Sequence, residues 1–64
     1  MLNDNYAKVY AMLMIYNVPF SSYLLDGVYI MKTKEYTITV AEDKCTLNNK
    51  EYTDVQDLLR DLKF

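Results

Sequence analysis

The chain reads as a small α+β domain: an N-terminal helix, a three- or four-stranded antiparallel meander and a C-terminal helix, with both helices on one face of the sheet. Three observations predict this. Val9–Tyr16 sets eight consecutive apolar or aromatic residues inside a helical pattern, Asp26-Gly27 separates two apolar runs, and Val55, Leu58, Leu59 and Leu62 recur at helical spacing. The connections are short, which favours a meander whose sequence neighbours are also spatial neighbours. With 64 residues and neither repeats nor a linker, the chain is one domain.

Asn3, Asp4 or Asn5 can cap the first helix, since a short polar side chain accepts from the free N–H groups of the opening turn. The helix is expected to run to about Tyr16 and to stop at Asn17-Val18-Pro19. Asn tolerates the left-handed cap conformation, and Pro19 disfavours helical geometry at the residue before it. At about 100° per residue, Tyr6, Val9, Tyr10 and Leu13 share one face. Ala7, Ala11, Met14 and Val18 follow a second seam, with Ile15 behind it, and only Lys8 brings a charge into the helix body. A helix that is apolar all round is normally covered on more than one side.

Phe20–Leu25 and Val28–Thr33 flank Asp26-Gly27, a two-residue hairpin signal, because a type I′ turn needs positive φ at both positions. A competing reading starts a helical turn at Ser21-Ser22, with Gly27 as its C-cap. Tyr36–Ala41 alternates, with Tyr36, Ile38 and Val40 on the inner face and Thr37 and Thr39 on the other. Glu42-Asp43-Lys44 turns the chain, Cys45 and Leu47 continue the inner face, and Asn49-Lys50-Glu51 reads as a polar turn. Thr53-Asp54-Val55-Gln56 fits a capping box opening the second helix, with Tyr52 stapling its entry. That helix has one apolar stripe, and Asp54, Arg60 and Lys63 are placed to complement its dipole.

Composition narrows the function classes. Nine acids against seven bases give a net charge of −2, which favours neither a basic nucleic-acid binder nor a strongly acidic DNA mimic. One Cys and no His exclude an internal disulfide and leave no donor set for structural zinc; no cofactor is expected. The single cysteine and an opening Met1-Leu2-Asn3 unlike a signal peptide point to a reduced, cytoplasmic setting. No apolar run approaches the roughly 18 to 20 residues that span a bilayer, so no membrane partner is expected.

Catalysis is not expected. General acid–base chemistry most often uses His, and the carboxylates fall in turns or on the solvated side of the second helix. Cys45 has inner-face parity, where a free thiol behaves as a small hydrophobe. One glycine cannot build a phosphate-cradling loop.

The informative feature is surplus hydrophobicity. The sheet can cover one face of the first helix. That leaves Ala7, Ala11, Met12, Met14, Ile15 and Tyr16 either buried by the chain's own second helix or facing another chain. Ala7 and Ala11 permit close helix approach, and Met and Tyr are enriched in interface cores. The expectation is a non-catalytic protein-binding module, a homodimer through this helix, acting on a partner protein whose identity the sequence does not give. Size, cysteine usage and a Tyr-, Lys- and Asn-rich composition resemble accessory proteins encoded by phages, many of which inhibit host factors. That likeness covers no particular motif. An alternative uses Tyr29, Met31, Lys32 and Lys34: if Val28 and Ile30 face the helices, Tyr29 and Met31 occupy the open sheet face, where bases could stack beside lysines. Glu35 and Glu51 dilute that charge, and a nucleic-acid partner is disfavoured.

Overall fold

A computed structural model describes residues 4–64. The first helix, α1, spans Asp4–Ile15, and the second, α2, spans Val55–Asp61. Between them lie β1 (Ser21–Leu25), β2 (Val28–Lys32), β3 (Thr37–Val40), β4 (Cys45–Leu47) and β5 (Lys50–Tyr52). The strands form one antiparallel sheet in the order β1-β2-β3-β4-β5, an uninterrupted meander. The expected α+β architecture is therefore present with one strand more than anticipated. Asn3, a candidate cap for α1, lies outside the described residues, as do Met1 and Leu2.

Left-handed backbone sets the turns. Asn17, at φ 55°, ends α1, with the Val18 N–H donating to the Leu13 carbonyl at 2.9 Å and the Asn17 N–H to Met14 at 3.1 Å. These are the two bonds of a Schellman cap. Asp26 and Gly27 both have positive φ, so β1 and β2 form the two-residue hairpin and the helical-turn alternative for this segment falls. Asn48 and Asn49 repeat the device at φ 50° and 74°. Two asparagines there make the turn one residue earlier than expected, so Lys50-Glu51 belongs to β5 rather than to a polar turn. Tyr52 likewise ends β5 instead of stapling the helix entry. The cap of α2 also moves: Asp54, not Thr53, accepts from the Gln56 N–H at 2.9 Å. Asp and Thr both cap well, and the strand running through Tyr52 fixes which one stands at the helix entry.

The core lies between one sheet face and the two helices. Val9 and Leu13 of α1 and Val55, Leu58 and Leu62 of α2 or its cap bury against Met31, Ile38, Val40, Cys45, Leu47 and Tyr52. This corrects the orientation of β2. Met31 pairs with Ile38 and Tyr29 with Val40, and opposed residues share a sheet face. Ile38 and Val40 face inward, so Met31 and Tyr29 must as well, and Val28 and Ile30 point to the open side. The four-residue connection Thr33–Tyr36 sets this parity; shifting the pairing by one residue would turn the whole strand over. Thr33 braces that connection, its hydroxyl accepting from the Tyr36 N–H at 2.9 Å and the Glu35 N–H at 3.2 Å.

Side-chain bonds tie the layers. The Tyr52 hydroxyl donates to the Asp61 carboxylate, fastening β5 to the end of α2, with Lys50 Nζ 3.8 Å from the same carboxylate. Arg60 pairs with Asp57 at 3.6 Å, so the two aspartates four apart on α2 each have a cationic neighbour. On the other flank, the Tyr6 ring stacks on Tyr29 with centroids 4.1 Å apart, and its hydroxyl lies 3.0 Å from Ser22 Oγ. Tyr10 meets Phe20 edge-on at 5.4 Å. Thus α1 lies over the β1–β2 side of the sheet and α2 over the β4–β5 side.

Two outcomes follow from this packing. Leu13, fully buried where α1 meets the sheet, should cost about 2–5 kcal/mol when replaced by Ala, comparable with the whole stability expected of so small a domain. Denaturant unfolding followed by circular dichroism reads it, and a loss below about 1 kcal/mol would show that α1 is not held by this contact. The second concerns Asp61, whose carboxyl is held below its ordinary pKa chiefly by the hydrogen bond from Tyr52. A lowered pKa contributes stability that is in place above the ordinary carboxylate range and is lost as pH falls through the lowered value. In Tyr52→Phe, NMR titration should find Asp61 moved back up toward its ordinary value. The stability gap to the parent should be present at neutral pH and close in acid; an unmoved Asp61 would contradict the assignment.

Candidate interaction surface

The surface that sets this molecule apart is apolar, and it begins on α1. Val9 and Leu13 point into the core, and Tyr6 and Met12 flank them, partly buried. The opposite side of the helix carries Ala7, Ala11, Met14 and Ile15, all exposed, with Met14 at 55% and Ile15 at 76%. Tyr16 is also exposed, its ring 5.6 Å from Phe64. Five of the six residues assigned to a surplus seam therefore lie on the surface. Met12 is the exception: it is partly buried and packs against the core, so it does not belong to the free seam. The reason is angular, since Met12 sits about 60° from Val9 around the helix, while Ala11 and Met14 lie well past it.

A second apolar surface was not anticipated. Every residue of β1 is exposed, and Tyr23, Leu24 and Leu25 keep 45%, 58% and 55% of their surfaces in solvent. β1 is an edge of the sheet, so one side of its backbone also lacks a strand partner. The Asp26-Gly27 turn signal points to the strand but not to its place at the edge, which depends on all four later strands continuing in one direction. On the open sheet face, Tyr23, Ile30, Thr39 and Thr46 form one cross-strand row, with the two threonine hydroxyls hydrogen-bonded to each other.

The Lys/Tyr platform is not assembled. Met31 is fully buried and Tyr29 stacks under Tyr6, so neither offers a ring or a thioether to the open face. Lys32 and Lys34 line a groove of about 620 Å³ at one end of the sheet, together with Phe20, Tyr36, Lys63 and Phe64. Tyr36 shapes its wall, since its hydroxyl donates to the Lys63 carbonyl and accepts from the Lys63 N–H, both at 3.1 Å.

Cys45 is buried, its thiol 3.7 Å from the Tyr52 carbonyl, and burial, then the nearby Asp54 charge, push its pKa up. A thiolate nucleophile needs the reverse. Among the described residues, no group of three or more His, Cys, Asp or Glu is placed to hold a metal ion. No helix of the described residues is long and apolar enough to cross a membrane. No family model, curated protein or solved structure matches this chain.

The position of Cys45 has a measurable consequence. An aromatic disulfide reagent at neutral pH should leave the native thiol unmodified on the timescale in which free cysteine reacts fully. Modification should then follow global unfolding as denaturant is raised. Rapid reaction of the native protein would place the thiol at the surface.

Proposed function

We propose that the protein is a non-catalytic protein-binding module that dimerises through the outer seam of α1 and acts as an accessory or inhibitory factor on a partner protein. The observation that carries this reading is the exposure of Met14 and Ile15 beside Ala7 and Ala11 on a helix whose opposite side buries Val9 and Leu13 completely. Burying one such large side chain is worth about 1.5–3 kcal/mol. Within the monomer, most of that free energy is unused at Ile15 and about half at Met14. The two alanines allow a second helix to approach closely, and a two-fold pairing closes on itself with the same surface on both chains. Soluble monomers seldom leave contiguous apolar surface open without a binding role. A partner protein could engage the surfaces left open on the dimer, and the likeness in size and composition to phage accessory proteins makes a host factor the class of partner expected.

Ala11→Glu tests the reading. Ala11 is exposed, so the substitution should leave the circular dichroism spectrum unchanged. It places a charge in the centre of the helix contact and should raise the dimer dissociation constant at least tenfold. Light scattering across a dilution series should report twice the 7.6 kDa chain mass for the parent and the single mass for the variant. A parent that stays monomeric at millimolar concentration would overturn the dimer. Loss of the folded spectrum in Ala11→Glu would mean that the seam is internal core. For the partner, a protein captured from native lysate by the parent should be lost with Ile15→Glu if its binding needs the dimer, and equal retention by both would overturn that dependence.

A further inference from the structure

The two edges of the sheet are built differently, and the difference leaves the β1 edge as the one open to pairing. β5, at one edge, is three residues long and carries Lys50 and Glu51, whose charges oppose pairing with another chain. β1, at the other, is Ser-Ser-Tyr-Leu-Leu: five residues, no charge and no proline, all exposed. Strand edges of that kind are pairing templates unless something covers them.

We infer that β1 pairs antiparallel with β1 of a second copy, joining the two sheets into one of ten strands. The inference rests on the homodimer proposed above and names the element that closes it. Its register follows from the hairpin. Leu25 and Val28 flank a two-residue turn and share its hydrogen bond. Alternation along an antiparallel pair then directs Ser21, Tyr23 and Leu25 toward β2 and turns the N–H and C=O groups of Ser22 and Leu24 outward. A two-fold axis at Tyr23 sets Ser22 opposite Leu24 of the other copy, and Leu24 opposite Ser22. Each pair exchanges two backbone hydrogen bonds, so every outward group between Ser22 and Leu24 is satisfied. No charge opposes a like charge in this register. Pairing β1 onto β5 would instead set an uncharged strand against Lys50 and Glu51 and would leave free edges that propagate a filament.

Area decides that the strand does not act alone. A half-exposed Tyr or Leu side chain offers about 100 Å², so Tyr23, Leu24 and Leu25 bring about 300 Å² per chain, short of the roughly 800 Å² per partner of a standard interface. The two-fold axis at β1 also brings the α1 helices side by side, because α1 lies over β1 and β2 through Tyr6 and Tyr10. Tyr10 and Met14, on the β1 side of the outer seam, then add contact across the same axis. Strand and helix thus belong to one interface.

Leu24→Pro and Tyr23→Cys test this together. The Leu24 N–H faces away from β2, so proline there removes no bond of the chain's own ladder and blocks one of the intermolecular pair. Light scattering should show a dissociation constant raised at least tenfold with the folded spectrum intact, as for Ala11→Glu. In Tyr23→Cys, the two introduced thiols lie on a non-hydrogen-bonded pair with Cα atoms about 4.5 Å apart, within disulfide reach, and mild oxidation should yield a covalent dimer in high yield. A parent dimer broken by Ala11→Glu but unaffected by Leu24→Pro, with no crosslink in Tyr23→Cys, would overturn the strand pairing and leave the helix dimer standing. A strictly monomeric parent would overturn both. Should Leu24→Pro fail to fold, the crosslink alone decides: its formation supports the register and its absence refutes it.

Discussion

Everything in this domain depends on a narrow contact. The inward side of α1 reaches the core through Val9 and Leu13, four residues apart and both fully buried, set against Met31, Ile38 and Val40 on the sheet. A sheet one layer thick with helices on one side can cover a single stripe of each helix. α2 matches that limit, since its apolar residues are confined to Val55, Leu58, Leu59 and Leu62. α1 does not, because its sequence is apolar around most of its circumference. Tyr6 and Tyr10 take up part of the excess through Tyr29, Ser22 and Phe20 at the β1 side, and Met12 takes up part by packing against the core. What remains on the far side has no counterpart among the described residues.

Legibility in the sequence follows the range of the interactions. Features set by local backbone chemistry were readable: the Asn17 stop of α1, the Asp26-Gly27 hairpin, the alternation of Ile38 and Val40, the inward Cys45 and the stripe of α2. Features set by register were not. β2 carries two β-branched residues, Val28 and Ile30, on one parity and Tyr29 and Met31 on the other, and both sets are apolar enough to line a core. Hydrophobicity cannot choose between them. The choice comes from the four-residue connection to β3, which forces Met31 opposite Ile38. The fifth strand was missed for a related reason, since Lys50 and Glu51 look like turn residues. The turn is made instead by Asn48 and Asn49, whose positive φ values carry the chain round before them.

The same distinction separates the parts of the interaction surface. Ala7, Ala11, Met14 and Ile15 could be named from spacing because a helix fixes its own faces, and a one-striped α2 leaves the surplus unmatched. Met12 could not be excluded from that group without knowing how far round α1 the core reaches. The exposure of Tyr23, Leu24 and Leu25 is a property of topology. An apolar strand of this composition would be equally suited to the middle of a sheet, and only the uninterrupted order of the meander puts it at the margin.

The two ends of the meander then carry unequal burdens. At β5, Tyr52 is buried and its hydroxyl is bonded to Asp61, so that edge is anchored to α2 and its outward residues are charged. At β1, anchorage comes from Tyr6 and the hairpin, and the apolar side chains face water. Those side chains and the outer seam of α1 contribute little to the stability of the single chain, because they stay largely wet in both the folded and the unfolded state. Their free energy is released only on association, and association that requires the folded edge and helix stabilises the fold by mass action. For a 64-residue chain without a disulfide, folding and the proposed association would therefore draw on one small set of apolar residues, divided between the inner stripe of α1 and its outer seam. On that proposal a substitution on the inner stripe would weaken both processes, whereas one on the outer seam would weaken association and reach the fold only through it.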